Sequence, residues 1–385
     1  MFSSRFHWDP SPNRLTRLLA DKRRTGAAVL DLTESNPTRA GLSYLAEIVE
    51  SLADPRALRY DPQPSGSLAA REAVCRYYAE AGHTVGPDRV LLTASTSEAY
   101  AYLFKLLADP GDEVLVPRPS YPLFEYLATM ESLRVVSYPL VYHGGWAIDC
   151  EALAAAVTKR TRAIVLVNPN NPTGSFLKRD ELQFLQSRGL TLISDEVFAD
   201  YAFSEDPQRV RTLAGVTDTL AFSMSGLSKI AGLPQMKLGW IVISGPAAAC
   251  AEAKEKLEWI ADTYLSVSTP VQQAAPRLLE LGKGIQRQIA ERVCANRACL
   301  ESAIAADSPC RLLALEGGWY ATLQVPRIRP EEEWAIELLD MDNVLIQPGF
   351  FFDFESEAFL VLSLLTEPET FREGCRRLLA RVDAI

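Results

Sequence analysis

The sequence predicts an α/β fold: a large domain on a mainly parallel sheet flanked by helices, joined to a smaller α+β domain. Three observations predict it. Short runs rich in β-branched residues are apolar throughout, as strands covered on both faces are. Amphipathic helical stretches alternate with them. Beyond about residue 250 the pattern changes to long helices with a few scattered strands.

In order along the chain, EVLVP (113–117), RAIVLV (162–167), LTLIS (190–194), TLAFS (219–223) and LGWIVIS (238–244) read as the sheet strands, expected to run parallel. SEAYAYLFKLLA (97–108) and RDELQFLQSRG (179–189) read as covering helices. AAACAEAKEKLEWIADTYL (247–265) reads as a long helix bridging the two domains. WYATLQV (319–325) and EAFLVLSLL (357–365) read as strands of the second domain. The expected division is an N-terminal segment, 1–45, that joins the small domain; a large domain, 46–250; and a linker helix with a small C-terminal domain, 251–385.

Composition narrows the function. The 385 residues suffice for two cores, and the net charge is −10 with no run of Lys or Arg. Nucleic acid and anionic membrane are therefore poor partners. Seven scattered cysteines contain no C-x-x-C pair, which fits reduced thiols in a cytoplasmic protein. No window is long and apolar enough to span a membrane. The three histidines, His7, His83 and His143, have no metal-ligand spacing, so no metal is expected. Acid–base work falls to Lys, Asp, Tyr or a cofactor.

Four segments at strand ends or helix starts carry chemistry. Ser95, Thr96 and Ser97 follow a short strand and open a helix, where free N–H groups and hydroxyls bind anions or merely cap the helix. NPNNPTG (168–174) is a tight turn whose Asn amides can also face a crevice. Asp195 ends a buried strand, where a carboxylate needs a partner. SGLSKIAGLPQMKLGW (225–240) carries Lys229 and Lys237. A partly desolvated lysine can become a neutral nucleophile and form a Schiff base, while a second one neutralises an anion. Anion cup, Asn turn, strand-end Asp and two lysines together match the needs of pyridoxal 5′-phosphate.

With NPNNPTG, SDEVFADY and GLSKIAGLPQMKLGW in this order, the chain resembles the class I/II aminotransferases of the fold type I group, over nearly its whole length. The resemblance implies a homodimer with shared active sites, acting on an amino donor and a keto acceptor. It implies that Lys229 carries pyridoxal phosphate and moves the proton, and that Asp195 pairs with the ring nitrogen. It further assigns Asn171 to the ring 3-oxygen and Tyr121 to the ring face. Ser95, Thr96, Ser97 and Ser225 would hold the phosphate with Lys237 as counter-charge. Tyr60 would reach the phosphate of the neighbouring subunit.

The chain departs from that pattern in four places. Phe198 stands where a tyrosine usually bonds the 3-oxygen, and Tyr201 is on the wrong side of a turn to replace it. Lys237 stands for an arginine and Gly226 for a serine. Val361 stands where an arginine forks the substrate carboxylate. Arg39, with Glu34 and Asn36 in the loop LTESNPTRAGL (32–42), is the candidate replacement against a plain surface role. The aromatic segments GGWYA (317–321) and QPGFFFDF (347–354) are either pocket wall or plain core. The expected activity is transamination with atypical carboxylate recognition. A carbon–sulfur lyase or decarboxylase on the same fold is the alternative. A binding or regulatory protein is opposed by the intact Lys229.

Overall fold

The structure, a computed structural model, describes residues 2–6 and 8–384, so His7 lies outside the described residues. The strands are β1 (Leu30–Asp31), β2 (Val90–Thr93), β3 (Glu113–Arg118), β4 (Arg134–Tyr142), β5 (Trp146–Ile148), β6 (Thr161–Val167) and β7 (Thr191–Asp195). They continue with β8 (Ala221–Gly226), β9 (Gly239–Ser244), β10 (Arg311–Leu312), β11 (Tyr320–Gln324), β12 (Val344–Leu345), β13 (Gln347–Pro348) and β14 (Phe359–Ser363). The large sheet has the order β2-β9-β8-β7-β6-β3-β4-β5. From β8 to β4 neighbours are parallel.

One expected direction is corrected. The strand read from LGWIVIS, β9, runs antiparallel to both β8 and β2. Burial on both faces gives a strand its apolar run but not its direction. The connection from β8 holds only the one-turn helix Leu227–Ile230 and a 3-10 turn, too little for a crossover. The double reversal leaves β2 pointing the same way as β8. The carboxyl ends of β2, β6, β7 and β8 therefore open on one side.

The core explains why these strands are uniformly apolar. Val114, Val116, Ala163, Val165, Ile193, Phe222 and Met224 face the helices Thr96–Leu107 and Ala247–Tyr264. The intervening Leu115, Ile164, Leu166, Leu192 and Ala221 face the opposite side, with Leu153 and Leu185 of its helices. Strand periodicity persists, but both faces are dry. Each such Val, Leu or Ile contributes about 1.5–3 kcal/mol relative to exposure.

The small sheet is antiparallel, in the order β10-β11-β14-β13. Beside it β1 pairs in parallel with β12. The helix expected to bridge the two regions is corrected too. Ala247–Tyr264 buries Cys250, Ala253, Leu257 and Ala261 against the large sheet. The bridge is the next helix, Thr269–Ala303, which packs on Leu68–Glu80 and on Pro368–Asp383. Its buried Leu278, Gly282, Ile285, Ile289, Val293, Asn296 and Leu300 recur at three- and four-residue steps, one helical face. Gly282 lets this helix touch the chain just after Lys229: a Cβ there would lie 2.4 Å from Ala231 Cβ.

Gly226, where the resemblance leads one to expect serine, closes the β8–β9 pair. A Cβ at this position would sit 2.8 Å from the Leu238 carbonyl oxygen and 2.9 Å from Gly239 Cα. Both are backbone atoms that cannot rotate aside. Gly226→Ala is therefore expected to cost about 1–3 kcal/mol, measured as a shifted midpoint in denaturant unfolding; an unshifted midpoint would refute the tight approach.

Candidate active site

Three parallel strand ends in register build the floor. Val167 lies beside Asp195, and Asp195 beside Met224. The chain continues from these ends to Asn171 and Lys229, and from β2 to Thr96 and Ser97. All of them line one cavity of about 620 Å³, with Tyr121, Phe198 and Ser228. Crevices at the carboxyl ends of such sheets are where ligands bind. The small-sheet side contributes Tyr320, Gln347, Phe351 and Phe352, and the loop 32–42 contributes Ser35.

Lys229 and Asp195 are buried facing charges. Desolvation lowers the Lys229 ammonium from 10.5 to about 8, with the Asp195 charge opposing it. Desolvation raises the Asp195 carboxyl from 3.8 to about 6, against the Val197 N–H, the Tyr100 hydroxyl and Lys229. The Tyr100 hydroxyl donates to Asp195 Oδ2 at 3.3 Å. Lys229 Nζ also lies 5.0 Å from the Trp319 ring centroid and 5.7 Å from that of Phe198. The adjacent Glu196 points away, taken up by Thr212, the Leu213 N–H and Ser223. Only the first carboxylate of the Asp-Glu pair serves the cavity.

The three asparagines of the NPNNPTG turn divide in the same way. Asn168 donates to the Val210 carbonyl and accepts from the Leu177 N–H. Asn170 donates to the Pro119 carbonyl and to Thr173, and accepts from Ser120. Asn171 Oδ1 is buried with no hydrogen-bond partner, and so is Ser225 Oγ. Buried polar atoms without partners are uncommon. Here one of them lies at the cavity that holds the lysine–aspartate pair.

Other expected residues lie elsewhere. Ser95 caps its helix, accepting from the Glu98 N–H at 3.2 Å, and does not line the cavity. Ser225, Lys237 and Tyr60 do not line it either. Lys237 is exposed in a left-handed turn, and Tyr60 is 76% exposed. In the 32–42 loop, Glu34 accepts from the Asn36 N–H and Asn36 accepts from Thr38. Arg39 is exposed, and none of these three lines the cavity. Tyr201 donates at 2.6 Å to the Lys229 carbonyl and packs on Trp319, behind the lysine.

Val361 is fully buried among Trp146, Leu313, Phe352, Phe354 and Phe359. Lys229 is the sole cation among the described residues that line the cavity. Sequence reading missed Ser35 and Tyr100, while Tyr320, Gln347, Phe351 and Phe352 come from the aromatic segments read as pocket wall or core. Tyr100 had a signal, one helical turn beyond Ser97 and so on the same face. A second cavity of about 610 Å³, between helices Leu68–Glu80 and Thr269–Ala303, mixes Arg76, Arg211, Asp200 and Glu280 and holds none of the expected residues.

These features fit pyridoxal phosphate. Lys229 offers an amine, Asp195 an anion for the ring nitrogen, Asn171 a side-chain amide whose N–H can donate to a ring oxygen, and Tyr121, 47% exposed, a ring face. Thr96 and Ser97 bring a helix N-terminus to the cavity for the phosphate.

Comparison with known proteins agrees. The family model "Aminotransferase class I and II" matches residues 27–378. The arginine–pyruvate transaminase AruH of Pseudomonas aeruginosa is 30% identical over 81% of this chain and 80% of its own length. The S-alkyl-thiohydroximate lyase SUR1 of Arabidopsis thaliana is 30% identical over 60% of this chain and 52% of its own. Among solved structures, the alanine aminotransferase of Pyrococcus furiosus superposes with a TM-score of 0.89 at 23% identity, covering 100% of both chains.

The buried lysine has a measurable cost. Its fall from 10.5 to about 8 corresponds to about 3 kcal/mol of destabilisation at neutral pH. Because the folded value is depressed, the unfolded chain binds more protons between pH 8 and 10.5, and stability rises through that window. Lys229→Met in cofactor-free protein is expected to raise the melting temperature at pH 7. The advantage should shrink as pH climbs from about 8 to 10.5; an advantage independent of pH would refute the assignment.

Proposed function

The chain belongs to the class I and II aminotransferases, enzymes that work through pyridoxal 5′-phosphate, and from that premise we propose that it moves the amino group of an apolar or aromatic amine donor to a keto acid or aldehyde without an arginine clamp on the substrate. The observation that carries this reading is the cavity wall. Where a carboxylate clamp is expected, Val361 sits inside an aromatic cluster, and no guanidinium reaches the cavity from the described residues. Phe198, Tyr320, Phe351 and Phe352 instead offer apolar surface.

Pyridoxal phosphate, when bound, supplies an electron sink for the charge left as a proton leaves the substrate's α carbon. Lys229 would hold it through Nζ, Asp195 would keep its ring nitrogen protonated, Asn171 would bond its 3-oxygen and Tyr121 would cover a face. Thr96 and Ser97 would hold the phosphate. Lys229 is also the group that takes and returns the proton. With its ammonium lowered to about 8, a usable fraction is neutral near neutral pH, as a general base requires. Asp195, raised only to about 6, remains largely ionised there.

The exposure of Tyr60 and of its neighbour Leu58 supports a site completed by a second copy of the chain. Two copies would bring Tyr60 to the neighbouring phosphate end. A carbon–sulfur lyase is the second reading, favoured by the similarity to SUR1. Both reactions begin with the same proton removal.

Titration of the pyridoxal phosphate-loaded protein with amino acids and simple amines, without keto acid, separates them. Transamination predicts bleaching of the yellow absorption with one equivalent of carbonyl product, fastest with apolar or aromatic donors. Catalytic ammonia release with the colour retained would establish the lyase instead. Sedimentation is expected to show a dimer, and Tyr60→Phe should weaken cofactor binding several-fold; a monomer with unchanged binding would refute the shared site.

A further inference from the structure

Tyr320 is a phenol that the reading above does not use. It stands on β11, outside the large sheet that carries the other cofactor-facing groups, yet it lines the same cavity as Asn171, Lys229 and Asp195. Its ring meets Phe198 edge-on, centroids 6.2 Å apart at 88°, and meets Phe352 at 6.4 Å. The ring is thus fixed on two sides. Burial pushes its hydroxyl up to about 12, with side-chain hydrogen bonds from Ser35 and Asn171 opposing the rise. The ionisable groups facing it, Tyr121 and Glu34, also disfavour its ionisation. At neutral pH it remains an O–H donor at the edge of an aromatic wall.

We propose that Tyr320, lining the cavity beside Ser35 and Asn171, is the phenol that hydrogen-bonds the ring oxygen of bound pyridoxal phosphate, a task Phe198 cannot perform. Two independent observations carry this. Tyr320 lines the same cavity as Ser35, Asn171, Asp195 and Lys229, so its phenol stands among the groups that would face the cofactor ring. And Phe198, which packs on Tyr320, has no polar atom to offer in that corner. The proposal rests on pyridoxal phosphate occupying this cavity and concerns a cofactor contact, not the substrate.

A donor to the ring oxygen favours its anionic form, so removing the donor makes the neighbouring proton harder to lose. The test is Tyr320→Phe, which keeps the ring. The visible absorption of the loaded protein is followed against pH without substrate, and cofactor affinity is measured by calorimetry on cofactor-free protein. The titration midpoint is expected to rise by about one pH unit and cofactor affinity to fall several-fold. Adding Phe198→Tyr to that variant should bring the midpoint back. A normal loaded spectrum with an unmoved midpoint overturns the proposal, and so does an unmoved midpoint with a raised KM for the donor, which would place the phenol on the substrate. If Tyr320→Phe fails to fold, Ser35→Ala leaves the aromatic packing intact; it should shift the midpoint upward by less, and no shift overturns the proposal. A wild-type protein that takes up no cofactor would overturn the proposed site together with this inference.

Discussion

A lysine and an aspartate of opposite charge, both largely desolvated at one cavity, set the terms for the rest of this molecule. Burial penalises both charges, and each partly rescues the other. Neither could be held so without a rigid surround. Asp195 is fixed by the Val197 N–H and Tyr100, and the Lys229 turn by Tyr201 on its carbonyl. The long helix Thr269–Ala303 presses on the next turn through Gly282. The sheet's dry faces contribute the stability that such a strained pair consumes.

The same constraint sorts the polar residues around the cavity. A buried amide or carboxylate must find a partner in the protein or await one from a ligand. Asn168, Asn170 and Glu196 have found theirs. Asn171 has an atom to spare. The wall opposite is aromatic, and Lys229 is the one cation among the described residues that line the cavity, with Ser35 and Gln347 among its neutral polar groups. Neutral donors bind an anion more weakly than a bidentate arginine does.

Much of this was legible in the chain. The strand-end Asp195, the lysine after β8 and the helix start at Thr96 and Ser97 follow from where apolar runs stop and which residues come next. What was not legible depended on partners distant in sequence. An apolar run such as LGWIVIS encodes burial on both faces but not direction, so the reversal of β9 was hidden. NPNNPTG offers three amides, and composition alone cannot say which two are consumed by Val210, Pro119 and Ser120. In the loop 32–42 the charged Glu34 and Arg39 drew attention, while the less conspicuous Ser35 is the residue at the cavity.

Tyr320 shows the general form of that limit. A hydrogen bond depends on where an oxygen sits, not on which strand delivers it. Position 198 and position 320 approach one another across the boundary between the large and small sheets, rings in edge contact. The contact proposed for Tyr320 would come from the small-sheet side of that boundary. Read along the chain, Phe198 looks like a loss of function and Tyr320 like one more aromatic in a core strand. Read in space, the two rings are neighbours on one cavity. Val361, on β14, is likewise understood only in space, enclosed by a cluster that joins Trp146, Leu313, Phe352, Phe354 and Phe359.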